Sequence, residues 1–357
     1  MARGQSVDPT STRSTTPLAR LTFTGPGLDR SADERSEPDL IERVLADPAT
    51  QVVSLRAGRF PVFEDTVATS GEPSGIAGSD HGGEPAALAL VTRPGENADL
   101  ARLAVFLGRR VPADETGGER AQAGSTAYTA VIGVVEDEEP PAEGVGAVRW
   151  RGLRSIAVGL PPEEAAIAAT LSALVNWHAT HTHCPRCGDA TVVASAGWTR
   201  RCPRDDSEHF PRTDPAVIMA VVDESDRLLL ARGAGFTAAG MSVLAGFVEP
   251  GESFAEAVIR EVAEEVGIEV VDVTYLGDQP WPFPNGVMIG FSARALTTEL
   301  RPQDGEIEAA RWFTRAEFAA ALADGSLQIS GRLSIARRLI EHWYGEPLQV
   351  PERSLRG

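Results

Sequence analysis

The chain contains no run of about 20 apolar residues, the length a membrane-spanning helix requires. Its Met-Ala-Arg-Gly-Gln start has no apolar core of the signal-peptide kind. A cytoplasmic protein is the expectation. Positive charge is in the minority: 33 Lys plus Arg against 51 Asp plus Glu give a formal net charge of −18. That balance argues against a broad nucleic-acid footprint or an anionic membrane surface. Cysteine is scarce, with three residues, Cys184, Cys187 and Cys202, confined to one short segment. An odd number clustered in this way suits a metal better than disulfides. Internal repeats, a Walker-type loop and a GxGxxG run after a strand are all missing, so neither a P-loop nor a Rossmann site is indicated. At 357 residues the chain is long enough for two domains with cores of their own.

Residues 1–20 are rich in Ser, Thr and Arg and read as disordered. From 21 to 180, short β-like runs (Leu21–Phe23, Val52–Ser54, Ala87–Val91, Ala130–Val135) alternate with Gly, Pro and acidic loops. The stretches 64–85 and 112–125 read as loop insertions, and Glu163–Ala179 has the periodicity of a long helix. This is an irregular α+β domain without a catalytic motif of its own. Residues 181–212 hold the cysteines. From 213 to 345 the pattern predicts strands at Ala216–Val222, Arg227–Ala231 and Ser242–Val248, near Glu269–Leu276, at Val287–Ala295 and ending in Arg311–Phe313. Helices are predicted at Ser253–Val266, about 314–323 and about 332–344. That order suits an α/β/α sandwich around a mixed sheet, so the whole chain is expected to be α+β. Residues 346–357 read as a tail.

The most informative stretch is 246–268, GFVEPGESFAEAVIREVAEEVGI. Glu261, Glu264 and Glu265 fall at i, i+3 and i+4, so a helix places all three carboxylates on one face. Phe254, Val258 and Val262, four apart, give the helix an apolar side to dock. Like charges at this spacing destabilise a helix by a few tenths of a kcal/mol, and neither Glu261 nor Glu265 has a downstream Arg to offset it. A divalent cation removes that cost, and hard oxygen ligands favour Mg2+ or Mn2+. The alternative is a solvated acidic helix face. Gly246 and Gly251 permit a tight loop close to a phosphate, and Gly267 stands where a left-handed cap is wanted. Glu252 and Arg260 are expected to brace the loop and helix by an ion pair.

Cys184-Pro-Arg-Cys187-Gly188 is half of a zinc site, with two thiolates flanking a turn. Cys202-Pro-Arg-Asp205 repeats the spacing with Asp in the fourth position, and His209 is the other candidate. Asp205 keeps the register; imidazole is the more usual ligand. His178, His181 and His183 are expected to cap or flank the preceding helix. With four protein ligands the role would be structural, and the alternative is a loop of free thiols.

Residues 246–268 match the Nudix box, Gly, five residues, Glu, seven residues, Arg-Glu-apolar-x-Glu-Glu-x-Gly-apolar. Downstream, Gln279-Pro-Trp-Pro-Phe-Pro284 resembles the SQPWPFP signature of the NADH pyrophosphatases, the Nudix branch that also removes NAD caps from RNA. The resemblance covers roughly 150–345, and implies an N-terminal domain, a zinc ribbon and a Nudix domain. It implies hydrolysis of the pyrophosphate of NAD(H) to AMP and nicotinamide mononucleotide, with removal of an NAD cap from RNA as the alternative use of one site. By position it implies catalytic Glu261, Glu264 and Glu265, and Mg2+ or Mn2+ held by Glu261, Glu265, Glu306 and the Ala245 carbonyl. It implies a structural Zn2+ on the ribbon and a homodimer in which the Trp-bearing loop serves the partner's site. Substrate contacts fall on Phe247, Phe210, Ala336 and Arg154, with Gln279, Pro280, Trp281, Pro282, Phe283, Pro284, Asn285 and Gly286 lining the dinucleotide pocket. Rigid prolines presenting Trp and Phe faces suit a base. An Arg cluster (Arg200, Arg201, Arg204, Arg212) could serve an RNA chain. This chain departs from the family at Asp278 (Ser), Asn285-Gly286 (Gln-Ser), Gly197 (a substrate-contacting Glu) and Asp205 (Cys). A non-catalytic nucleotide sensor is the rival from another class, and such proteins lose the box carboxylates that are kept here.

Overall fold

The computed structural model describes residues 17–18, 21–25, 28–64, 88–90, 92–94, 103–110, 129–136, 148–302, 305–350 and 355. Three sheets follow one another along these residues. The first comprises β1 (Gln51–Arg56), β2 (Arg59–Glu64), β3 (Leu88–Leu90), β4 (Thr92–Pro94), β5 (Leu103–Arg110), β6 (Thr129–Glu136) and β7 (Val148–Gly152), with α1 (Leu40–Leu45) before it and α2 (Leu153–Ile156) after it. β1 runs parallel to β6 while its pairings with β2 and β4 are antiparallel. α3 (Pro162–Thr180) packs Ala168, Leu171 and Leu174 against Val53, Val105 and Val131. It passes so near β6 that a Cβ at Gly133 would run into Leu171.

The predicted strand at Leu21–Phe23 is a turn instead, with Phe23 at a φ of 70°. Its side chains are fixed by burial and not by sheet pairing. Leu21 joins the core of the C-terminal sandwich, and Phe23 joins the N-terminal core. Of residues 1–20 only Pro17 and Leu18 are described; Leu18 is buried in the sandwich core and its amide donates to the Leu276 carbonyl at 3.1 Å. The expected insertions lie outside the described residues, except Glu64, which ends β2.

β8 (Val192–Ala194), β9 (Thr199–Arg201) and β10 (Glu208–His209) form a small antiparallel sheet. The C-terminal domain follows with β11 (Asp214–Val222), β12 (Leu228–Gly233), β13 (Leu244–Phe247), α4 (Phe254–Val266), β14 (Val270–Trp281), β15 (Gly286–Ala295), β16 (Ile307–Phe313), α5 (Arg315–Asp324) and α6 (Ile335–Tyr344). Strand order is β14-β15-β11-β12-β16, with β13 also on β11 and only β11–β15 parallel.

β11 is buried on both faces, and its side chains alternate between them with the period of two that a strand imposes. Val217, Met219 and Val221 pack with Ala257, Val258, Val262 and Val266 of α4, whereas Ile218 and Ala220 pack with Phe318 of α5 and Leu339 of α6. The expected α/β/α sandwich on a mixed sheet is thus observed. Phe254 departs from the predicted apolar side and is exposed, its place taken by Ala257 and Val266. No helix of the described residues is long and apolar enough to cross a membrane.

Candidate active site

α4 starts at Ser253, whose hydroxyl accepts from the Glu256 amide while the Glu256 carboxylate accepts from the Ser253 amide. Such a cap is worth about 1 kcal/mol. The helix ends at Gly267 in the left-handed region, φ 71°, where glycine carries no Cβ penalty. These two ends fix the register of the carboxylates between them. β13 crosses Glu261 so closely that a Cβ at Gly246 would run into its carboxyl group.

Arg260 holds the loop and helix together. It donates to Glu252 Oε1 at 2.6 Å, Glu261 Oε1 at 2.9 Å, Glu264 Oε2 at 3.0 Å and the Phe247 carbonyl at 3.0 Å. The expected pairing with Glu252 is present, and the cation that offsets Glu261 and Glu264 lies upstream of them, not downstream. Glu264 is largely exposed and turned to this guanidinium.

Glu265 receives none of this support. It is buried, and its Oε2 has no hydrogen-bond partner. Burial, with Glu261 and Glu306 facing it, pushes its carboxyl up to about 8. Burial raises Glu261 as well, although Arg260 opposes the shift. Glu306 comes from the turn before β16 and adds its charge to both. A cation set among Glu261, Glu265 and Glu306 would satisfy the orphaned oxygen and remove the mutual repulsion. The donor set is all oxygen, which suits a hard divalent ion. Ala245 precedes Gly246 on β13, opposite Ile218, so its carbonyl belongs to the same strand that passes over Glu261.

Phe247, next on β13, is 67% exposed, as is Phe210 after β10; both rings are free to stack on a planar ligand. The aromatic run expected as a loop is a hairpin. Gln279, Pro280 and Trp281 complete β14, paired with Met288, Val287 and Gly286 of β15, and residues 282–285 turn the chain. β14 is an edge strand, which is why it tolerates Pro280. Gln279 is fully buried. Its amide donates to the carbonyls of Thr22 and Leu333 and accepts from the Ile335 amide. It therefore ties the start of α6 to the sheet, and it is not among the residues lining the cavity described below. Ala336, the neighbour of Ile335, is buried with it.

Arg154 stacks over Phe283 at 4.2 Å and Trp281 at 5.2 Å from the ring centroids. Pro280, Trp281, Pro282, Asn285 and Gly286 line one cavity of about 390 Å³; Phe283 packs into the N-terminal core and Pro284 lies in the turn. None of Glu261, Glu265, Glu306 and Phe247 lines that cavity. One contributor escaped the sequence reading. Asn176 of α3 donates to the carbonyls of Pro282 at 3.2 Å and Pro284 at 3.0 Å, and a lone Asn on a helix carries no signal of such a contact.

In the ribbon, ligand atoms of Cys184, Cys187, Cys202 and Asp205 all lie within 4.8 Å of one another. Cys187 and Cys202 Sγ are 3.4 Å apart, and Cys184 Sγ is 3.8 Å from Asp205 Oδ2. Zn–S bonds of about 2.3 Å at tetrahedral angles call for separations near 3.7 Å. Asp205 Oδ1 accepts from the Ser207 amide at 3.0 Å and hydroxyl at 2.5 Å, which leaves Oδ2 toward the sulfurs. These Ser207 bonds hold the Asp205 carboxyl well below the usual range. Burial opposes ionisation of Cys184, but Ser207 and the Arg186 and Cys187 amides outweigh it and bring the thiol down to about 6. The group fits a zinc ion. His209 stands outside it, in contact with Ser207. His178 is buried in α3, its Nε2 donating to the Gly197 carbonyl at 2.8 Å and its Nδ1 accepting from Arg200 at 3.1 Å. His181 caps α3, and His183 bridges to Ala190 beyond it.

A family model described as "NUDIX domain" matches residues 212–331, and one described as "NADH pyrophosphatase zinc ribbon domain" matches 179–210. The "NAD-capped RNA hydrolase NudC" of Mycobacterium bovis (strain BCG / Pasteur 1173P2) is 42% identical over 267 residues, 72% of this chain and 79% of that protein. The "NAD-capped RNA hydrolase NUDT12" of Homo sapiens is 39% identical over 196 residues, 52% of this chain and 42% of that protein. A crystal structure of a NUDIX hydrolase from Nitrosomonas europaea aligns with 46% of this chain and 94% of its own at 19% identity and a TM-score of 0.37.

Proposed function

The chain belongs to the Nudix hydrolase family, and on that premise we propose that it hydrolyses the pyrophosphate of NAD(H) to AMP and nicotinamide mononucleotide. The observation that carries this reading is the buried, unpartnered Glu265 carboxylate facing Glu261 and Glu306, one strand away from the exposed Phe247 ring. Glu261, Glu265 and Glu306 would hold Mg2+ or Mn2+, which supplies charge neutralisation at the diphosphate and a more acidic water. Arg260 fixes the Glu261 carboxylate, Gly246 leaves the space it occupies, and Phe247 offers a face to the base or the nicotinamide ring. A glutamate of this cluster orients the attacking water or takes its proton. Zn2+ on Cys184, Cys187, Cys202 and Asp205 would brace the ribbon.

Removal of an NAD cap from RNA breaks the same bond, and the curated relatives carry that activity in their names. The ribbon arginines offer little for it: Arg201, Arg204 and Arg212 are paired with Asp206, Asp189 and Asp214, and Arg200 is buried. Homodimerisation and a cytoplasmic location belong to the same reading. The test compares kcat/KM for NADH and for an NAD-capped oligonucleotide, with and without Mg2+ or Mn2+. Metal-dependent release of AMP and reduced nicotinamide mononucleotide is expected. Failure to turn over either substrate in the presence of metal would overturn the proposal.

A further inference from the structure

Of the three carboxylates read above as metal ligands, Glu306 alone lies outside α4, and it is exposed, so neither a helix register nor burial fixes its direction. Its main chain is held from β12. Gly233 pairs with Ile307, and the Ala234 amide donates to the Glu306 carbonyl at 2.9 Å. The ladder slips at this point: Arg232 stands opposite Ala309 and Gly233 opposite Ile307, which leaves Glu308 as an extra residue. Such a bulge bends the strand and leaves its extra residue unpaired. Trp312 and Ala310 pack with the α4 core, and an unbroken alternation would bring Glu308 to that face next. The bulge delivers Ile307 there instead, buried in the same core, with Glu306 directly before it.

Arg232 holds this bulge. Its Nε donates to Glu308 Oε2 at 3.1 Å, and its Nη1 donates to the Ala238 carbonyl at 2.9 Å. The second bond ties the bulge to the loop after β12, and that loop is fixed in turn to Gln328, whose amide donates to the Ala239 carbonyl at 2.8 Å and whose carbonyl accepts from the Met241 amide at 2.9 Å. Leu229 and Ala231 pack with α4, whereas Leu228 and Leu230 pack with α5 and α6. The same alternation puts Arg232 on the face away from α4, behind the carboxylates and not among them. A lone ion pair at a surface contributes little. One planar guanidinium bonded to two separate segments does more, because it fixes the distance between them.

We propose that Arg232 is a positioning residue for the metal site: by holding the bulge at Glu308 against the loop at Ala238, it sets the direction in which Glu306 meets Glu261 and Glu265. This rests on the reading above in which Glu306 is a metal ligand. Arg232 acts through Glu306 and touches neither metal nor substrate.

The test is a double-mutant cycle on the zinc-loaded full chain, with Mn2+ as the probe and the electron paramagnetic resonance signal of free Mn2+ as the readout, so that no turnover is needed. The four proteins are the parent, Arg232→Ala, Glu306→Gln and the double variant. Loss of a group that orients a ligand costs about tenfold or more in metal affinity, so Arg232→Ala should weaken Mn2+ binding by about that factor. Because the effect runs through Glu306, it should vanish when Glu306 is already Gln; a merely structural role would lower affinity equally in both backgrounds. If Arg232→Ala does not fold, Glu308→Ala, an exposed change that removes the same ion pair, takes its place in the cycle. Parental Mn2+ affinity in the Arg232 variant, or an equal loss in both backgrounds, overturns the proposal and leaves Glu306 as a ligand. Parental affinity in Glu306→Gln defeats the metal assignment itself, and the proposal with it.

Discussion

The side-chain amide of Asn176 donates both its hydrogens to the hairpin of the C-terminal domain, to the carbonyl of Pro282 at 3.2 Å and that of Pro284 at 3.0 Å. Prolines have no N–H, and their carbonyls at the turn have no ladder partner, so a helix from the other half of the chain holds the hairpin that carries Trp281 and Phe283. Each such bond is worth about 1 kcal/mol. Asn176→Ala is therefore expected to raise KM for the dinucleotide about 5- to 30-fold, with kcat changed far less. Steady-state kinetics check this; an equal fall in kcat at constant KM would contradict it.

Gly246 makes the second prediction. A Cβ there would occupy the space of the Glu261 carboxyl group, and displacement of a catalytic group by about 1 Å costs on the order of 100-fold in rate. Gly246→Ala should lose activity on that scale while keeping its circular dichroism spectrum and thermal midpoint. Full activity would show that Glu261 need not stay where it is.

The box helix was legible because several independent signals coincide in it: carboxylates at i, i+3 and i+4, the Ser253–Glu256 cap and Gly267. The sandwich was legible from the short, nearly continuous apolar runs at Ala216–Val222 and Val287–Ala295, the pattern of strands covered on both faces. What escaped has a common cause. Asn176 acts across 106 and 108 residues of sequence, Gln279 is consumed by contacts with Thr22, Leu333 and Ile335, and Leu21 is held by a distant core. Periodicity reports local structure, and none of these contacts is local. The Trp-bearing loop that the resemblance implies begins as strand, because an edge position lifts the usual bar on proline in a sheet.

Asp205 is testable through metal retention. With Ser207 holding Oδ1, Oδ2 is left to ligate. Asp205→Ala should lower zinc affinity, and Ser207→Ala should do so by about 10- to 100-fold through loss of ligand orientation. Asp205→Cys should retain zinc. Chelator competition with spectroscopic readout measures all three, and an Asp205→Ala protein that holds zinc as tightly as the parent would remove Asp205 from the site.

His178 sets a pH dependence. Burial, with Arg200 beside it, lowers its pKa, against the opposing bond to Gly197. Its Nδ1 accepts from Arg200, so a proton there would face a guanidinium. The unfolded state thus binds the proton first, and stability is complete above the ordinary value of 6.5 and declines as pH falls below it. His178→Gln keeps one donor and one acceptor and does not titrate. The gap between the thermal midpoints of parent and variant should shift in the variant's favour between about pH 6.5 and 5; a gap independent of pH would contradict the assignment.

The most direct measurement is turnover of NADH by Glu265→Gln in saturating Mg2+ or Mn2+, with AMP quantified against the parent protein. Glu265 is buried, and the charges of Glu261 and Glu306 both act on it; loss of such a group is expected to lower kcat by at least about 100-fold, with zinc content preserved. Near-parental release of AMP by this variant would contradict the account.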